Sequence, residues 1–185
     1  ELLTNRQGSE FITGISTDTI FALGGKAGMI NINIGGMLSV LNGAAIRSIT
    51  ASAKDAGIIN ITAGELLVDR QGATFNTGII SDTNPNSGGN AGTLTVSIEG
   101  LLSVLNGGQI RSVTFSTGNA GMINITAGSL LVNRQGSEFI TSISSDAEPG
   151  SKGNAGAINV TSDSLLSVVN GGQIRSITFA SGDAG

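Results

Sequence analysis

The chain has 185 residues, a formal net charge of −4 and a pI near 4.6, a length that suits one domain with a real core or one repeat array. It contains no cysteine and no histidine, which excludes disulfides and thiolate chemistry and removes the usual general base and the commonest metal ligand. The acidic balance argues against nucleic acid as a partner, since phosphate binding needs clustered Lys and Arg, and six Phe without Trp or Tyr are a thin stock for stacking on sugars or bases.

No apolar run approaches the roughly 18 residues of a membrane span, so no membrane insertion is expected. The opening ELLTNRQGSE has neither the basic nor the apolar region of a signal peptide. The 29 glycines stand among many Ser, Thr and Asn, yet the chain is 39% hydrophobic, too much for a disordered linker.

A repeat organises the whole chain. Ala-Gly recurs at 27–28, 56–57, 91–92, 120–121, 155–156 and 184–185, with spacings that alternate between 29 and 35 residues. Two unit types therefore make a 64-residue double repeat, occupying 1–64, 65–128 and 129–185 as one uninterrupted array.

In chain order, each unit opens on a strand of period two. Ile30/Ile32, Ile59/Ile61, Leu94/Val96, Ile123/Ile125 and Ile158/Val160 point one way. Asn31, Asn60, Thr95, Asn124 and Asn159, with Asn33, Thr62, Ser97, Thr126 and Thr161, point the other way as a polar ladder. A second run, LLSVLN at 101–106, ends at Asn-Gly, a pair that tolerates φ > 0 and turns a corner. Alternation puts Leu102 and Val104 inward, but the matching positions of the other unit are Leu67 and Asp69. Either a bulge turns Leu66 and Val68 inward instead, or Asp69 sits at a corner.

The third run is QIRSVTF at 109–115, followed by a Gly-rich return to the next Ala-Gly. Aligned from one Ala-Gly to the next, it gives three inward columns. The first is Phe11, Ile46, Phe75, Ile110, Phe139 and Ile174; the second is Thr13, Ser48, Thr77, Ser112, Thr141 and Ser176; the third is Ile15, Thr50, Ile79, Thr114, Ile143 and Thr178. Three strands per unit, none able to bury its inner face alone, describe the coils of an all-β parallel β-helix, a β-solenoid of about six coils with three short strands each. No segment shows a helical period.

All six arginines are periodic, as Arg6/Arg70/Arg134 and Arg47/Arg111/Arg175. The same alignment puts the second set outward in a column running Ile12, Arg47, Asn76, Arg111, Ile140, Arg175. Like charges then recur every second coil, about 9–10 Å apart, near one Debye length at physiological salt. Spaced charge on a solvated face is the favoured reading, with polysaccharide or polyanion binding along the ladder as the functional one.

Asp18, Asp82 and Asp146 recur after the third strand. They are weak Ca²⁺ candidates, because the glycine-rich nonapeptide of calcium β-rolls is missing and an Asp at a loop entrance usually bonds local backbone. The sequons at 60–62, 124–126 and 159–161 fall in strands and reflect an Asn/Thr-rich outer face. The six-residue difference between units is assigned to the returns TIFALG (19–24), TNPNSG (83–88) and AEPGSK (147–152). The first presents Ile20, Phe21 and Leu23, which either fold back onto the flank or meet a neighbouring chain.

The elements GNAG, a strand of alternating Ile/Val, LLSV and NGGQI, as in residues 118–136 and 153–185, resemble the repeat arrays of filamentous-haemagglutinin-like exoproteins of two-partner secretion, in particular cyanobacterial surface proteins. The resemblance spans the chain. It implies a right-handed parallel β-helix, export to the bacterial cell surface, and an adhesive or fibrous role. It also implies that this chain is an interior segment of a longer exoprotein, since the N-terminal secretion domain of that family is not matched. No catalytic residue or cofactor comes with it.

The expected function is an extracellular structural or adhesive solenoid that associates end to end, with lateral association as the alternative to the apolar loop folding back. A binding module for surface polysaccharide, or for ice through the Asn/Thr ladder, is the alternative. An enzyme of the polysaccharide-lyase kind ranks last, because the charges are spread periodically rather than gathered in one groove.

Overall fold

A computed structural model describes the whole chain except Gly8, Ile12 and residues 21–24. The described residues form strands β1 (Leu2–Asn5), β2 (Gly14–Ser16), β3 (Ile30–Leu41), β4 (Ala45–Arg47), β5 (Ile59–Asp69), β6 (Thr77–Ile80), β7 (Leu94–Leu105), β8 (Gly108–Arg111), β9 (Ile123–Asn133), β10 (Ser142–Ser144), β11 (Ile158–Ser162), β12 (Leu166–Val169) and β13 (Gln173–Arg175). One sheet runs β1-β3-β5-β7-β9-β11, with β12 also on β9, and the other runs β2-β4-β6-β8-β10-β13. Every pairing is parallel. The result is a parallel β-solenoid of about five turns.

The expected first and second strands of a coil are one long strand in β3, β5, β7 and β9, so there are two sheets rather than three. The long strand bends where the register slips, between Ile34 and Met37 against β5 and between Ile98 and Leu101 against β9. This bulge settles the question posed by Asp69. The extra residue at Gly35-Gly36 and Glu99-Gly100 sets Leu38 against Leu66 and Val104 against Val68. Leu66 and Val68 are buried, and Asp69 stays at the rim, where its Oδ1 accepts the Gln71 N–H at 3.0 Å.

β-Branched and Leu side chains fill the interior, as alternation on a pleated strand requires. Ile30, Ile59, Leu94 and Ile123 stack with Ile61, Val96 and Ile125 in a single core running along the axis. The outward ladder Asn31, Asn60, Thr95, Asn124, Asn159 has the register read from the sequence. Within it, Asn60 Nδ2 donates to Asn31 Oδ1 at 2.8 Å and Asn159 Nδ2 to Asn124 Oδ1 at 2.9 Å.

The second sheet corrects the expected columns. Ile46 pairs with Ile15 and Ile79, and Ile110 with Ile79 and Ile143. The inner column is therefore Ile15, Ile46, Ile79, Ile110, Ile143 and Ile174. Phe11 and Phe75 lie outside the core, 79% and 48% exposed. The hydroxyl column is Thr17, Ser48, Ser81, Ser112, Ser145 and Ser176, and the third is Thr19, Thr50, Thr83, Thr114, Ala147 and Thr178. The sequence alignment was displaced by four residues in alternate coils because the length difference is not confined to the returns. Most of it lies at the corner between the long strand and the second sheet, 70–76 and 134–140, where the shorter coils make only Asn-Gly. Thr83 and Ala147 accordingly sit in the buried column, and of the 83–88 segment only Asn84, Pro85, Asn86 and Gly88 are exposed.

Candidate functional site

The periodic polar residues converge on three structures, each repeated along the axis. The first surrounds the Ala-Gly dipeptide. Ser48 Oγ accepts the Gly57 N–H at 2.7 Å, Ser81 Oγ the Gly92 N–H at 3.0 Å and Ser112 Oγ the Gly121 N–H at 3.1 Å. Ser81 and Ser112 also donate to the glycine carbonyl of the preceding coil, Gly57 O at 3.3 Å and Gly92 O at 2.7 Å. A Cβ at Gly92 would overlap the Gly57 carbonyl and the Ser81 hydroxyl, and Gly121 and Gly156 are hemmed in alike. The most regular motif in the sequence thus marks the closest approach of successive coils.

The second structure joins the two residue sets that the sequence left apart. Arg47 Nη2 lies 2.6 Å from Asp18 Oδ2, Arg111 Nη2 2.7 Å from Asp82 Oδ2, and Arg175 Nε 3.0 Å from Asp146 Oδ2. The other oxygen of each carboxylate accepts a backbone N–H: Ile49 at 2.9 Å, Val113 at 3.1 Å and Ile177 at 3.0 Å. Asp82 and Asp146 are buried. Burial pushes the Asp82 carboxyl above its ordinary range, while the Arg111 guanidinium and the Val113 N–H pull it down. Burial, and then the neighbouring Asp146, also raise the Glu148 carboxyl. With both oxygens of each aspartate held by donors, the geometry of the Ca²⁺ candidates is that of a charge ladder, and no cluster of metal-ligating side chains occurs among the described residues.

The arginine column itself differs from the expected one. Arg47 is flanked by Ser16 and Ile80, and Arg111 by Ile80 and Ser144. Asn76 and Ile140 belong instead to the protruding corner, and Ile12 lies outside the described residues. Like charges still fall two coils apart. Of the apolar loop residues, Ile20 is exposed, whereas Phe21 and Leu23 lie outside the described residues.

The third structure was not foreseen. The Arg6 guanidinium carbon stands 3.4 Å from the Phe75 ring centroid, and that of Arg70 3.3 Å from Phe139, a cation–π geometry. Arg6 Nε donates to Phe11 O at 2.8 Å, and Arg70 Nε and Nη2 donate to Ala73 O and Thr74 O at 2.6 and 2.8 Å. Each arginine thus ties its own corner and reaches past one coil to the phenylalanine of the next large corner. The intervening coil passes beneath as Asn42-Gly43 or Asn106-Gly107, with positive φ at all four residues. A Cβ at Gly107 would strike Phe139 and Arg70. Gln71-Gly72 and Gln135-Gly136 turn the large corners with the same left-handed pair, a signal masked in the sequence because Gln seldom adopts it.

No family model matches the chain, and neither a curated protein nor a solved structure matches it.

Proposed function

We propose that this chain is a segment of an extracellular structural or adhesive rod, a stalk or surface fibre of a bacterial cell whose length is set by the number of stacked coils. The observation that carries this reading is the use made of the periodic side chains. The Ser/Gly contacts, the Asp–Arg pairs and the Arg–Phe clasps all link one coil to another. They repeat along the axis instead of meeting at one place, as a chemical site would require. The likeness of the repeats to filamentous-haemagglutinin-like arrays supports a surface location. Each coil adds about 4.8 Å of length, so reach grows with repeat number at no change in cross-section.

End-to-end self-association belongs to the same reading. Parallel pairing in register from coil to coil supports it, because the face that one coil offers the next is the face that a coil of a second chain would need. Negative-stain electron microscopy with sedimentation velocity tests the proposal. Slender particles that lengthen with concentration are expected. Compact particles of fixed size at all concentrations would overturn self-association. A catalytic turnover of any polysaccharide would overturn the structural role.

A further inference from the structure

Between the protruding corner and the second sheet lies a cavity of about 230 Å³, lined among others by Arg6, Arg47, Arg111, Phe75, Asn76 and Ile80. It is smaller than the roughly 300–1,000 Å³ of a drug-sized site, so it takes a single ring or headgroup. Three of the six arginines of an acidic chain meet here, and no acid lines the cavity among the described residues. Asp18 and Asp82 neutralise Arg47 and Arg111, but Arg6 has no carboxylate partner among the described residues.

A second observation sets the place apart from the ladder around it. The Nε groups of Arg47 and Arg175 donate to their aspartates at 2.8 and 3.0 Å. Arg111 and Arg175 both send Nη1 to a glutamine, Gln109 Oε1 at 3.1 Å and Gln173 Oε1 at 2.9 Å, but Arg111 meets its aspartate through Nη2 alone, and its Nε is buried with no hydrogen-bond partner. A buried unsatisfied donor on a charged group is costly, so the Arg111 guanidinium is the least satisfied of the three in this column.

We propose that the cavity seats an acidic sugar unit of a polysaccharide, with the carboxylate of a uronic acid among the arginines and the C–H face of the pyranose on the exposed part of Phe75. The planar carboxylate matches the guanidinium fork, and the apolar patch accounts for a ring rather than a bare anion. Sixty-four residues on, Arg70, Phe139 and Arg175 recur around Arg111, but with Ser144 in place of Ile80 and with the Arg175 Nε bonded to Asp146, so the seat proposed is the one at Arg6, Phe75 and Arg111. This inference goes beyond the rod reading and stands independently of it.

Isothermal titration of the whole chain with hexagalacturonate at low salt, beside its full methyl ester and a heparin hexasaccharide, tests the proposal. Binding of the acid, and none of the ester, is expected, weakening as salt is added. Asn76 is exposed at the cavity mouth, so N76D adds a repelling charge without touching the core and weakens binding about tenfold. T126D adds the same charge on the other sheet and leaves binding unchanged. Equal binding of the ester, an N76D variant that binds like the parent, or no binding at all would overturn the site. A heparin fragment that binds as well as the uronate would overturn the carboxylate assignment. Melting temperatures of both variants equal to the parent show that the readout is local.

Discussion

Replacing Ile110 and Phe75 separately by alanine distinguishes the two ways of stacking the second sheet. Ile110 is fully buried between Ile79 and Ile143. Truncation to Ala removes the equivalent of three methylene groups, about 2.4 kcal/mol at roughly 0.8 kcal/mol each. The hydrogen-bonded spacing of the coils prevents collapse into the hole, and the residual cavity brings the cost to about 3–4 kcal/mol. Phe75 is the larger side chain, but 48% of it is exposed. Its loss removes about 1 kcal/mol of burial and about 0.5–1 kcal/mol of attraction to Arg6, near 2 kcal/mol in all. Urea unfolding followed by far-UV circular dichroism measures both, with the shift in midpoint read at unchanged slope. I110A should fall well below F75A in stability. Equal losses, or a larger loss for F75A, would refute the isoleucine column and restore the phenylalanines to the core.

Gly92→Ala forces a Cβ into the Gly57 carbonyl and should cost about 3 kcal/mol or more in the same assay, whereas Gly35→Ala, with open space around it, should stay within about 1 kcal/mol. Asp82→Asn retains an acceptor for Val113 N–H but loses the charge facing Arg111; a loss of about 1.5–3 kcal/mol is expected, and an unchanged midpoint would show that the pair is incidental. Glu148 has a raised carboxyl pKa in the folded chain, so its contribution to stability is full below the ordinary carboxylate range and is lost as pH rises through the raised value. Glu148→Gln should therefore gain stability relative to the parent on going from acid to neutral pH, and melting curves across that interval that keep a constant offset would contradict the assignment.

The parts legible in sequence are those where local period and spacing agree. The alternation of Ile with Asn or Thr gave the first segment of every long strand its correct face, and 29- and 35-residue steps between Ala-Gly pairs gave that segment its correct neighbours. Counting onward from Ala-Gly failed beyond it, because the bulge, the large corner and the return each change length between the two units. A signal for the correct register was present. Ile46-Arg47-Ser48-Ile49-Thr50 and Ile79-Ile80-Ser81-Asp82-Thr83 share the pattern Ile-x-Ser-x-Thr, and every coil carries a version of it. Matching that pattern puts Asp82 one coil from Arg111, which the spacing of charged residues alone could not do. The Arg–Phe clasp was less accessible. Its partners stand 69 residues apart, more than one double repeat, and nothing local to either announces the contact.

That 69-residue reach explains why the array alternates two coils instead of repeating one. A uniform coil carrying arginine at the same place would set like charges about 4.8 Å apart along the axis, with strong mutual repulsion. Alternation moves arginine to every second coil and gives the intervening coil the aspartate that meets it. The same device operates at the corner, where a large Arg/Phe corner and a bare Asn-Gly corner take turns, so that Arg6 and Phe75 meet across the glycine of the coil between them. The ion pairs bind the coils in twos, and the clasps bind each two to the next. Neither contact can form within a single 29- or 35-residue coil. The 64-residue double coil is therefore the smallest unit that completes an Asp–Arg pair, the Arg–Phe clasp needs two such units in succession, and an array that keeps both contacts has to grow by the double coil.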